Sequence, residues 1–140
     1  MYTRVLLASV AGTVWNFFGG WVIYGMLLKA YYESHTIVYE GLAKEHPDMV
    51  WLVISCFAPA LLIAIMADKT GKSNMLGGAI TGFTIGFLLQ LSMTSSMFSF
   101  FNLHDGTGIL AVDVLSAAAY YAVTGAIAGA IMGFGKKVEA

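Results

Sequence analysis

MVWLVISCFAPALLIAIMA, residues Met49 to Ala67, carries no charged side chain over 19 positions, and this stretch decides the solvent in which the chain folds. An α-helix needs about 20 apolar residues to cross about 30 Å of hydrocarbon. A strand of a lipid-facing barrel would instead alternate in hydrophobicity over about ten residues, and the run LLIAIMA does not alternate. The stretch therefore predicts a membrane-spanning helix.

Three further stretches say the same: Val5 to Leu28, Met75 to Phe101 and Ile109 to Phe134, of 24, 27 and 26 residues. The whole chain of 140 residues is 59% hydrophobic and 11% charged, whereas an ordinary soluble domain is about 25% charged. Its mean hydropathy is +0.78. The expected fold is all-α: a single polytopic bundle of four transmembrane helices, with a loop from about Lys29 to Asp48 and a short turn, Asn102 to Gly108. Arg4 ahead of an apolar run with small residues near Ala8 and Ala11 imitates a secretory signal. The run continues to Leu28, however, so the segment reads as a retained anchor.

Sidedness follows from the basic residues, because Lys and Arg near helix ends stay cytoplasmic. With four spans, Arg4, Lys69, Lys72, Lys136 and Lys137 share one side, against Lys29 and Lys44 on the other. Both termini are therefore expected in the cytoplasm, and His35, His46 and His104 outside. Trp15, Trp21, Tyr24, Tyr31, Tyr32, Trp51 and Phe100 near span ends read mostly as an interfacial aromatic belt. The single cysteine, Cys56, lies in the second span and reads as a small buried hydrophobe.

Within the spans, small residues every fourth position permit close backbone approach, the main means by which helices associate in lipid. Gly78, Gly82 and Gly86 form one such ridge, Gly125, Gly129 and Gly133 another, and Ala8, Gly12, Asn16 and Gly20 a looser third. The two glycine ridges lie in the same half of adjacent antiparallel helices and can face each other. Either can also meet a second copy. Polar side chains inside a span are costly and tend to face a partner or a cavity. Asn16 and Gln90 lie near mid-membrane, where a hydrogen bond between helices is the leading reading. Asp113, with Ser116, Tyr120 and Thr124 on its face, reads first as a helix-start or interfacial carboxylate and second as a proton or cation site. Pro59 removes one backbone hydrogen bond from the second span.

Other chemistry is thinly supported. His35 and His46 stand about three turns apart on a helix, and no HxxxH or HxH spacing occurs, so the histidines, His104 included, form no convincing metal set. Met93 and Met97 at helical spacing read as packing rather than copper ligands. No paired cysteines, nucleophile with a base, or phosphate-binding loop appears, so no enzyme and no cofactor is implied. A net charge near -1 without a basic run argues against nucleic acid.

The segments GGWVIYGMLLKAYYESH from Gly19, GGAITGFTIGF from Gly77 and AVDVLSAAAYYAVTGAIAGAIMG from Ala111 resemble an uncharacterised family of small four-helix bacterial membrane proteins, frequent in Bacteroidetes. The resemblance implies a four-span fold and an inner-membrane location, but no activity. Two functions remain as expectations. One is a structural or accessory subunit, a homo-oligomer or part of a larger membrane complex, packed through its glycine ridges and surrounded by lipid. The other is a small dimeric transporter or channel for an ion or solute that uses Asp113, Gln90 and Asn16.

Overall fold

The computed structural model describes residues 2–134. Helix α1, Tyr2–Val22, passes directly into a π-helical turn, Ile23–Leu27; α2 is Lys29–His35, α3 Met49–Lys69, α4 Met75–Phe100 and α5 Gly108–Gly133. The fold is all-α. Four helices are long and apolar enough to cross a membrane: α1 with its π turn, α3, α4 and α5. They match the four sequence stretches to within a few residues. Lys136 and Lys137, part of the sidedness argument, lie outside the described residues.

The helix ends have local causes. Asp48 accepts from the Val50 N–H at 3.1 Å to cap α3, and Asn74 accepts from the Gly77 N–H at 2.7 Å to cap α4. Between them the chain reverses through Gly71, whose φ of +70° suits a residue without Cβ. At the other end of the bundle, the Leu28 N–H reaches back five residues to the Ile23 carbonyl (2.8 Å), which makes the last turn of the first span π-helical.

The connection expected as a plain loop from Lys29 therefore begins as a helix. After α2 it is fastened to the α4–α5 connection. The Ile37 N–H donates to the Leu103 carbonyl (2.7 Å), the Asp105 N–H to the His35 carbonyl (3.1 Å) and the Tyr39 hydroxyl to the Asn102 carbonyl (2.7 Å). Thr36 and His104 form an isolated antiparallel bridge there.

Glycines bring α4 and α5 into backbone contact. A Cβ added at Gly78 would collide with the Gly125 carbonyl oxygen, one at Gly82 with the Tyr121 carbonyl, and one at Gly129 with the Asn74 carbonyl. Gly86 faces the Tyr121 ring and Gly133 the Ser73 carbonyl, where an added Cβ would lie 2.7 and 2.6 Å away. Both ridges thus meet each other inside one chain, and neither is left over for a second copy. Helix α1 lies against α3 and α5: a Cβ at Gly12 would stand 3.1 Å from both Ala60 and Thr124, and one at Gly20 3.2 Å from the Tyr120 hydroxyl.

The two ends of the bundle differ. Where Arg4 and the α3–α4 turn lie, Val5, Ala8, Ala64, Ala67, Ala128 and Met132 make a closed core. Arg4 Nη1 donates to the Met132 carbonyl at 3.4 Å, satisfying a late carbonyl of α5. Toward α2 the helices separate, and a cleft opens among α1, α3, α4 and α5.

Candidate functional site

The cleft has a volume of about 1200 Å³. Helix α1 contributes Asn16 and Trp21, and the π turn Tyr24; α3 contributes Cys56, Ala58 and Pro59; α4 contributes Gln90 and Met93; and α5 contributes Asp113, Tyr120 and Tyr121. These residues all come from the half of each helix remote from the closed core. The lining is mostly apolar, with a few polar groups converging, which is the usual make-up of a small-molecule site.

Asp113 is the polar centre. Tyr32 Oη donates to its Oδ1 at 2.7 Å, Gln90 Nε2 to Oδ2 at 2.6 Å, and Thr94 Oγ1 also to Oδ2. Gln90 Nε2 lies 3.2 Å from Thr94 Oγ1 as well. Three elements, α2, α4 and α5, therefore converge on one carboxylate. The capping role considered for Asp113 does not hold: Thr107 occupies the N-cap of α5, and Asp113 lies well inside the helix. Ser116 shares its face, donating to the Asp113 carbonyl (3.1 Å), and its hydroxyl lies 3.5 Å from that of Tyr24.

Tyr32 stands outside the spans, in α2. Its burial, followed by its hydrogen bond to Asp113 and the charge of that carboxylate, pushes the phenol well above its ordinary value of 10.0. It holds its proton and serves as a fixed donor to Asp113.

A second network sits deeper. Asn16 Nδ2 donates to the Cys56 carbonyl (2.8 Å), while its Oδ1 accepts from Thr124 Oγ1 (2.6 Å) and its backbone carbonyl accepts from Tyr120 Oη. One side chain thus joins α1 to α3 and α5. Cys56 neighbours Ser55, whose carbonyl Pro59 leaves without its helical N–H donor. Helix α3 nonetheless continues through Pro59 to Lys69. Trp15 Nε1 donates to the Tyr120 carbonyl (3.2 Å). Among the described residues no buried side-chain N or O atom lacks a partner.

The two amides expected to bond across helices do so, but not to each other: Asn16 serves α3 and α5, Gln90 serves Asp113. The stripe of Asp113, Ser116, Tyr120 and Thr124 divides between the two networks. Thr94, Tyr32, Tyr24 and Tyr121 were not anticipated. Thr94 was legible as a polar residue one helical turn beyond Gln90; the tyrosines resembled belt residues, and only the π turn and α2 bring Tyr24 and Tyr32 inward. Their rings form a chain with those of the cleft: Tyr32 to Tyr24 at 6.0 Å, Tyr24 to Tyr120 at 6.0 Å and Tyr120 to Tyr121 at 4.8 Å between centroids.

The histidines stay apart from this site. His35 stacks on Tyr31 with a centroid distance of 4.3 Å, and His104 lies beside Phe98 at 5.3 Å. His46 falls in the connection between α2 and α3. Among the described residues no three His, Cys, Asp or Glu side chains come together as a metal set. No family model, curated protein or solved structure matches this chain.

Proposed function

We propose that the protein is a small membrane transporter that receives a solute in the cleft around Asp113. The observation that carries this reading is the cleft itself: about 1200 Å³ of space, bounded by four membrane-length helices and furnished with one carboxylate and a ring of aromatic side chains. A bundle whose only task is to pack would close this half as tightly as it closes the other. Intramembrane carboxylates are costly and mark ion and substrate paths, and Asp113 of α5 is held by donors from α2 and α4. The alternative of a structural or accessory subunit drew its support from the glycine ridges, and those are occupied within the chain.

We place the protein in a bacterial inner membrane with both termini cytoplasmic. Arg4, Lys69 and Lys72 at the closed end support that orientation, and it makes the cleft face outward.

Native mass spectrometry after gentle extraction tests the reading. A small molecule should accompany the intact chain in one-to-one ratio. Ala58→Trp, from an exposed position in the cleft wall, should remove it while leaving the melting of the helices unchanged. An always-empty protein, or Ala58→Trp with its ligand retained, would count against a cleft ligand.

A further inference from the structure

The cleft lining has a one-sided chemistry that narrows what it takes. It contains one carboxylate, Asp113, and no lysine, arginine or histidine. The three side chains that donate to Asp113 are all neutral. They fix the carboxylate in place and satisfy its oxygens without cancelling its charge. Among the described residues the only ion pair joins Lys29 and Glu33 on exposed α2, at 3.8 Å. Arg4 is spent on the Met132 carbonyl at the closed end. A carboxylate within a span ordinarily finds a cationic partner, and among the described residues Asp113 has none.

The surroundings of Asp113 suit a particular kind of cation. The cleft presents Trp21, Tyr24, Tyr120 and Tyr121. The rings of Tyr24 and Tyr120 meet edge to face, at 75° between their planes. A cation is attracted to an aromatic face when it lies within about 6 Å of the ring centroid, and a quaternary ammonium gains most where water is excluded. A calcium or magnesium ion would want six or more oxygen ligands, which this mostly apolar lining does not offer. An anion would meet the Asp113 charge, and a neutral solute would leave it unpaired.

We infer that the occupant of the cleft is a lipophilic organic cation, an ammonium or quaternary nitrogen carried on an apolar body, with the nitrogen at Asp113 and the body along the Trp21, Tyr24 and Tyr120 walls. This rests on the cleft being the ligand site proposed above, and adds the charge and polarity of what enters it.

The test titrates the full chain in lipid nanodiscs with three probes of similar shape: benzyltrimethylammonium, its uncharged carbon isostere neopentylbenzene, and phenylmethanesulfonate. Protein-free nanodiscs give the background. The cation should bind saturably and at least about 10-fold more tightly than either of the others. Asp113→Asn should weaken it by about 10-fold or more, and Tyr24→Leu by about 3-fold or more while Tyr24→Phe retains it. Should Asp113→Asn fail to fold, the ranking of the three probes on the unaltered chain decides. Equal binding of the neutral isostere, tighter binding of the sulfonate, or a folded Asp113→Asn with unchanged cation affinity would overturn the inference while leaving the cleft a ligand site. No saturable binding of any probe would overturn it and count against the cleft as well.

Discussion

Asp113 and Asn16 do different work although both are polar residues buried in apolar sequence. Asn16 is a junction whose every polar atom is used, so its replacement is a matter of stability. Asn16→Leu strips partners from the Cys56 carbonyl and the Thr124 hydroxyl, and leaves Tyr120 only the backbone carbonyl it already uses. Unfolding in mixed micelles should show a loss of about 1–2 kcal/mol. Asp113 organises the cleft rather than the core, and its effect is seen first in Tyr32. In an ultraviolet difference titration against Tyr32→Phe, the Tyr32 phenolate should appear only well above pH 10, and in Asp113→Asn it should move down toward that value. Because the folded state holds this proton more tightly than the unfolded chain, the stability it contributes is whole below pH 10 and is lost as pH rises beyond it. A Tyr32 that ionises with the exposed tyrosines would remove the bond to Asp113 from the site.

At the level of elements, the helices were legible because hydrocarbon tolerates little else: an apolar run of spanning length must satisfy its backbone internally. The pairing of α4 with α5 was legible too, since two glycine ridges in the same half of neighbouring helices invite contact. What the sequence concealed was the π turn at Ile23–Leu27 and the helix α2 that follows. A π-helical turn needs no change in composition, so Tyr24 and Tyr32 looked like interfacial anchors. The glycine seam gives its own prediction. Gly125→Ala drives a methyl group into the Gly78 backbone and should cost about 2–3 kcal/mol. Gly106→Ala, where nothing stands within 4 Å of an added Cβ, should change stability by less than about 0.5 kcal/mol. Equal effects at the two sites would refute the close seam.

For the whole molecule, the contrast is between a closed half of alanine and glycine and an open half that surrounds the cleft. Spin labels report it directly. In a Cys56→Ser background, labels at Leu6 and Met66, exposed on α1 and α3 beside the closed core, should give one narrow distance distribution. Labels at Val53 and Leu91, exposed on α3 and α4, should give a broad one that sharpens when the cleft is filled. Two equally narrow distributions would mean that the open half is as fixed as the closed one. The Asn16 junction gives this asymmetry a mechanical meaning. It ties α1, α3 and α5 at mid-height, and acts as a fulcrum with the alanine core clamped below it. From Asn16 to Leu27 the first span extends about 17 Å at 1.5 Å per residue. A tilt of only about 10° there moves its tip by about 3 Å, the width of a methyl group or a water molecule. For the transporter proposed above, admission or release of a guest would need no large rearrangement, because a small strain at that pivot, shared with the bonds that fasten α2, becomes a useful aperture at the mouth.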